Sequence, residues 1–219
     1  MGQNCVGIER ILVQEDQYDA LFEMLSDRIK KLRAGSVLTC TPEGYINTVD
    51  SGSMINGDRF EGIQQVITDA ADAGCQVEGV GESAGREYVH PQLEHGYYFT
   101  PTIVGSVTKD MQIANIERAF FSGLFFVKKK QVLNDYIFSF VSCIVFAPVA
   151  LLMPYETVEE AIEIANGTPY ALGGSVFGPD QDEALAVAKR LECGMVSVND
   201  FGTFYVSVFN FVDAYWTLK

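Results

Sequence analysis

Hydrophobic residues recur along the chain with helical and strand-like spacing in alternation. Helical spacing predicts helices from an N-cap at Asp16 to about Leu32, over 60–70 with a stop at Gly74, after an N-cap at Thr157, and over 180–191. Strand-like runs cover 8–13, 76–80, 97–107, 145–153, 172–177 and 195–198. Strands that alternate with long helices predict an α/β fold, with a mostly parallel sheet and flanking helices.

Residues 118–144 break this pattern, because they follow neither period and hold six of the 15 phenylalanines. Farther on, residues 136–155 carry no charged side chain over 20 positions, which by hydropathy predicts a membrane span. The competing interpretation is an ordinary buried strand over 145–153 that abuts an apolar insertion. Pro148 and Pro154 disfavour a regular helix there.

Composition narrows the classes of partner and compartment. The net charge of −14 argues against nucleic acid and anionic membrane surfaces. The five cysteines show no CxxC pairing, which favours a reducing compartment over a disulfide scaffold or a zinc site. His90 and His95 lie in a predicted loop with Glu87 and Glu94, so we predict solvated loop residues and no metal. No secretory signal is expected at the first residues, because Gln3, Asn4 and Glu9 are polar.

Cys5 is the candidate nucleophile, since it lies on a glycine-flanked loop before the first predicted strand. A thiolate stabilised by backbone amides or a nearby base attacks carbonyl carbons and also leaves readily. The alternative is a small buried hydrophobic residue, which a reduced cysteine often is.

A second nucleophile motif is the G-x-S-x-G pattern of residues 81–85, which is typical of the nucleophile elbow of esterases. The pattern follows a predicted strand, but no helix is predicted after it. A serine esterase with Ser83 as nucleophile is therefore a minor alternative to a glycine-rich connection.

Several segments together resemble the aldehyde dehydrogenase superfamily, in the order in which that family has them. The resemblance covers most of 1–206 and rests on the following segments: Gly2–Cys5, Tyr98–Thr102, Glu117, Phe146–Val149, Ala165–Phe177 and Cys193–Phe201. It implies the aldehyde-dehydrogenase-like catalytic lobe, with NAD(P)+-dependent oxidation of a small-molecule aldehyde to a carboxylate, and homo-oligomers.

The resemblance also implies roles for three residues. Cys5 attacks the aldehyde to give a thiohemiacetal and then a thioester. Glu117 accepts hydrogen bonds from the nicotinamide ribose, and Phe146 packs beside the nicotinamide ring of NAD or NADP. The plain alternative for these last two is a surface carboxylate and a core phenylalanine.

The segment 118–144 separates two halves of one family motif. Its removal would place Glu117 beside Val145 and restore a Glu-x-Phe-x-Pro-Val pattern. We therefore predict that 118–144 is an insertion from an unremoved intervening sequence, and that 207–219 is a tail unlike the family.

The family's general base and dinucleotide-binding domain precede the nucleophile, so we expect this chain alone to be inactive. The expected location is the cytoplasm or the cytoplasmic side of a membrane. The alternative function is a non-catalytic fragment that is anchored to a membrane through 136–155.

Overall fold

The structure is a computed structural model that describes residues 2–3, 8–36, 49–79, 96–118, 146–168 and 173–200. The chain divides into two compact units, the first containing the described residues up to Pro154 and the second those from Tyr155 onward. The first unit contains the elements β1 (Arg10–Gln14), α1 (Glu15–Ile29), α2 (Phe60–Asp72), β2 (Gln76–Glu78), β3 (Thr102–Gly105), a 3-10 helix (Gln112–Arg118) and most of β4 (Val149–Tyr155). The second contains α3 (Val158–Asn166), β5 (Gly173–Val176), α4 (Gln181–Ala188) and β6 (Met195–Val198).

The first unit is built on a four-stranded sheet in the order β1-β4-β3-β2. Strands β3 and β4 are parallel, with Thr102 opposite Val149, whereas β2 and β3 are antiparallel. In β4, Val149, Leu151, Leu152 and Met153 are buried. A strand buried on both faces is typical of the interior of a covered sheet.

Two helices provide apolar faces in the first unit. Helix α1 packs Tyr18, Leu21, Phe22, Leu25 and Ile29 in one cluster with Val13, Ile103 and Leu152. Helix α2 buries Ile63, Val66, Ile67 and Ala70, and the chain turns after it at Gly74, whose φ of +93° suits glycine.

The second unit contains a β5-α4-β6 arrangement in which β5 and β6 are parallel neighbours. Ile162, Ala188, Leu191 and Val196 form its core. The Asp180 side chain caps α4 by accepting hydrogen bonds from the backbone N–H groups of Asp182 and Glu183, both at 2.9 Å. The predicted N-cap at Thr157 is confirmed, whereas the cap role of Asp180 was not predicted.

The structure confirms the predicted α/β class and corrects several boundaries. Helix α1 starts at Glu15 with Gln14 as N-cap, so the predicted N-cap role of Asp16 is wrong. Asp16 lies instead in the first turn, where its negative carboxylate interacts favourably with the positive end of the helix dipole. Strand β3 covers only residues 102–105 of the predicted 97–107. It begins directly after Pro101, which has no backbone N–H to donate to a neighbouring strand.

Strand β4 occupies residues 149–155 of the uncharged segment 136–155. This confirms the interpretation of a buried strand for 149–153, whereas 136–145 lie outside the described residues. Across the parts of the chain that the structure describes, no helix is both long and apolar enough to cross a membrane.

Candidate functional site

The predicted loop that carries Cys5, residues 4–7, lies outside the described residues, whereas the residues on both sides of it are described. Gly2 and Gln3 precede the loop, and Ile8 and Glu9 follow it. All four flanking positions belong to the first unit. Their contacts therefore show which parts of the first unit adjoin each end of the predicted loop.

Before the loop, Gly2 lies against the backbone of Ala147 and Pro148. A Cβ added to Gly2 would overlap the Ala147 carbonyl, and the φ of +73° at Gly2 also favours glycine. The side-chain Oε1 of Gln3 accepts a hydrogen bond from the backbone N–H of Ile55 at 2.8 Å. The Gly-Gln pair of the motif thus fixes the entrance of the loop.

After the loop, Glu9 holds the chain to the segment that leads into β4. Its backbone carbonyl accepts a hydrogen bond from the Leu151 N–H at 2.7 Å. Its carboxylate Oε1 accepts a second hydrogen bond, from the Phe146 N–H, at 2.9 Å. Since Gly2 contacts residues 147 and 148, both ends of the loop adjoin the segment Phe146–Leu151.

Phe146 has a backbone conformation that is unusual for a bulky residue. Its φ of +48° lies in the left-handed region, and the residue is half-buried. Such conformations cost about 1–3 kcal/mol and persist where the surroundings hold them. A hydrogen bond to a charged group contributes about 1.5–3 kcal/mol, so the Glu9 contact is of the right size to offset that cost.

Glu117 lies in the last turn of the 3-10 helix, but its side chain is outside the described residues. The helix is kinked at Asn115, whose φ is −139°. The Asn115 side-chain Nδ2 donates to the Met111 carbonyl at 3.2 Å, which ties this kink to the preceding turn. The contact predicted between the Glu117 carboxylate and a cofactor therefore stays a prediction.

The described thiols have environments that keep them protonated. Burial raises the pKa of Cys75, whose thiol donates to the Ser106 carbonyl at 3.6 Å. Burial also raises the pKa of Cys193 in the second unit. Both therefore form less of the nucleophilic thiolate at a given pH than an ordinary cysteine does. Burial also lowers the pKa of the Arg10 guanidinium in β1.

The two lesser motifs cannot be located. Ser83 and its G-x-S-x-G pattern lie outside the described residues, as do His90, His95, Glu87 and Glu94. Within the described ranges, no three histidine, cysteine, aspartate or glutamate side chains converge in a way that could hold a metal ion.

Sequence reasoning missed two of the contacts that frame the loop. The sequence feature that pointed to Gln3 is its position within the Gly2–Cys5 motif. Glu9 had no signal, because its partner Phe146 is 137 positions away in the chain.

Comparison with known proteins places this arrangement in a family. The model of the aldehyde dehydrogenase family matches residues 1–131 and 141–212. An aldehyde dehydrogenase-like protein of Saccharomyces cerevisiae is 34% identical over 207 residues, covering 94% of this chain and 27% of that protein. Aldehyde dehydrogenase 1A1 of Gallus gallus is 30% identical over 203 residues, covering 93% of this chain and 32% of that protein.

Solved structures agree. The crystal structure of betaine aldehyde dehydrogenase from Staphylococcus aureus in complex with NAD+ is similar with a TM-score of 0.66 at 27% identity, over 91% of this chain and 32% of that one. The fold and the match over most of the sequence define a protein of the aldehyde-dehydrogenase fold. The chain belongs to the aldehyde dehydrogenase family.

The chain spans about a third or less of the relatives named here. The family model leaves out 132–140, which lies inside the predicted insertion 118–144, and continues to residue 212, beyond the predicted lobe boundary at 206. The boundaries of insertion and tail stay predictions.

Proposed function

We propose that this chain provides the nucleophile-bearing part of an enzyme that oxidises an aldehyde to a carboxylate, with Cys5 as the nucleophile. One observation carries the proposal: the two ends of the Cys5 loop adjoin the segment that begins at Phe146. The candidate nucleophile and the candidate cofactor residue thus belong to one connected piece of the first unit. Membership of the family supplies the reaction class.

The chemistry assigned to Cys5 proceeds through its sulfur. The thiolate adds to the aldehyde carbonyl, and a carbon–sulfur bond forms as the carbonyl electrons move to oxygen. The backbone N–H of Cys5 is a natural donor to that oxygen. After oxidation the acyl group is held as a thioester, and water releases the carboxylate and regenerates the thiol.

The implied cofactor is NAD or NADP, whose nicotinamide accepts the hydride when bound. The described residues fit such a ring, since Phe146 is an aromatic residue only half-buried beside the nucleophile loop. Glu117 would accept hydrogen bonds from the ribose diol, because a carboxylate has two acceptor oxygens for two neighbouring hydroxyls.

Substrate and assembly belong to the same proposal. The substrate is a small-molecule aldehyde, handled in the cytoplasm. Self-association into homo-oligomers is expected from the family resemblance, and light scattering of the purified chain would measure it.

Cleavage of a nitrophenyl ester tests the role of Cys5 without a cofactor, because it needs the nucleophile and water but no hydride acceptor. We expect the chain to release nitrophenol slowly although it does not oxidise aldehydes, Cys5→Ser to lose that activity, and the matched control Cys193→Ser to keep it. Removal of a catalytic nucleophile can cost up to about 10⁶-fold in rate, so the difference between Cys5→Ser and the control should be large.

The same assay can contradict the proposal. Ester cleavage that is unchanged in Cys5→Ser would exclude Cys5 as the nucleophile. Cleavage that is abolished instead by Ser83→Ala would favour the esterase interpretation of residues 81–85.

A further inference from the structure

Glu9 connects the nucleophile loop to Phe146 through its side chain. Its carboxylate accepts the Phe146 N–H at 2.9 Å, while its own carbonyl accepts the Leu151 N–H at 2.7 Å. One residue therefore contacts both ends of a six-residue segment that leads into β4. The backbone contact is ordinary sheet pairing, whereas the side-chain contact is not.

The side-chain contact is made where the backbone needs support. Phe146 has a φ of +48°, a conformation that L-residues with bulky side chains seldom adopt. An extended Phe146 would direct its N–H and its side chain elsewhere. A carboxylate that receives this N–H favours the left-handed conformation over the extended one.

We propose that Glu9 is a positioning residue for Phe146. By holding the Phe146 backbone in its left-handed conformation, Glu9 sets the direction of the phenylalanine side chain toward a bound nicotinamide ring. This inference rests on the proposed cofactor role of Phe146. If Glu9 has this role, the direction of the Phe146 side chain at the proposed nicotinamide site depends on a residue four positions after the nucleophile.

Two variants separate the hydrogen bond from the bulk of the side chain. Glu9→Gln keeps an oxygen acceptor at the same reach, whereas Glu9→Leu keeps similar volume without an acceptor. Glu23→Leu is the matched control, because Glu23 is an exposed glutamate on α1. Circular dichroism would verify that each variant is folded.

The first readout is the amide proton of Phe146 in protein labelled with ¹⁵N-phenylalanine, its signal assigned by its loss in Phe146→Leu. We expect this signal to move upfield in Glu9→Leu, to move less in Glu9→Gln and to stay unchanged in Glu23→Leu. An unchanged signal in Glu9→Leu would overturn the proposal.

The second readout is the dissociation constant for NAD+. We expect Glu9→Leu to weaken NAD+ binding about tenfold, the equivalent of one lost hydrogen bond, and Glu9→Gln to stay within about threefold of the parent. Weaker binding in Phe146→Leu together with normal binding in Glu9→Leu would overturn the positioning role. Normal binding in Phe146→Leu would overturn the cofactor role itself, and in a chain that binds no NAD+ the amide signal of Phe146 alone decides whether Glu9 holds its backbone.

Discussion

At the scale of single residues, burial sets the protonation of the two described thiols, Cys75 and Cys193. Cys75 lies 8% exposed beside the Met111 sulfur at 3.4 Å. Cys193 is half-buried next to Gly174 in the second unit. Burial raises the pKa of both, so their neutral forms are favoured in the folded chain.

This shift predicts that the folded chain loses stability in alkali. The unfolded thiols release protons near their ordinary pKa of about 8.5, whereas the folded ones release them at higher pH. The contribution to the free energy of unfolding is therefore complete below about pH 8.5 and is lost as pH rises toward the folded pKa. Urea unfolding between pH 7 and 10 measures how steeply the free energy of unfolding falls with pH. The fall should be less steep in Cys75→Ala and in Cys193→Ala than in the parent chain. Equal slopes in parent and variants would contradict the assigned environments.

At the scale of elements, β4 determines how the apolar stretch 136–155 is interpreted. Leu152 is 0% exposed and lies in the cluster formed with α1. Leu151 and Met153 are equally inaccessible, so residues on both faces of the strand are covered. The lack of charged residues in this half of the segment follows from its position inside a sheet.

Truncation of Leu152 tests this placement. We expect Leu152→Ala to lower the free energy of unfolding by about 2–5 kcal/mol, from lost burial and the cavity that remains. The control Leu32→Ala, at a leucine that is 41% exposed, should change it by less than about 0.5 kcal/mol. Urea denaturation followed by circular dichroism makes the comparison, and similar effects at both leucines would contradict a core position for β4.

Local rules predicted the elements whose stability is decided locally. The apolar spacing of α2, the N-cap of α3, and β6 over 195–198 are confirmed, because spacing and caps depend on neighbours in the chain. The kinked 3-10 helix over 112–118 was not predicted, since no periodic apolar face marks so short an element.

The candidate site shows the opposite case. The family motifs indicated Cys5, Glu117 and Phe146, but no local pattern indicated the contact between Glu9 and Phe146 or the left-handed backbone of Phe146. That contact joins distant parts of the chain and depends on how β1 and β4 meet in the sheet. The spacing of apolar residues along the chain carries no information about which strands become neighbours in the sheet.

At the scale of the whole molecule, residues 118–144 separate the two halves of the motif that contains Glu117 and Phe146. Glu117 and Phe146 belong to one compact unit, although 28 positions separate them in the printed sequence. The family model passes over 132–140 in this interval. The same model matches 118–131 and 141–144, so the insertion over 118–144 stays a prediction.

Deletion of 118–144 is predicted to leave the first unit intact, because it joins Glu117 to Val145 as in the family motif. The free energy of unfolding should be equal to or higher than that of the parent chain, as measured by urea denaturation. Sequencing of the mature transcript is the companion measurement. Transcripts that retain these codons in every clone, or a deletion variant that does not fold, would contradict the insertion hypothesis.

Alkylation of the folded chain tests whether Cys5 is the reacting thiol of an aldehyde-oxidising site. Iodoacetamide modification at pH 7.5, quantified for each cysteine by peptide mass spectrometry, compares Cys5 with the buried Cys75 and the half-buried Cys193. We expect Cys5 to be modified fastest of the three, and a short aliphatic aldehyde to slow its modification without affecting the other two. If Cys5 reacts no faster in the folded chain than in urea, and at the same rate with and without the aldehyde, it is not the reacting thiol.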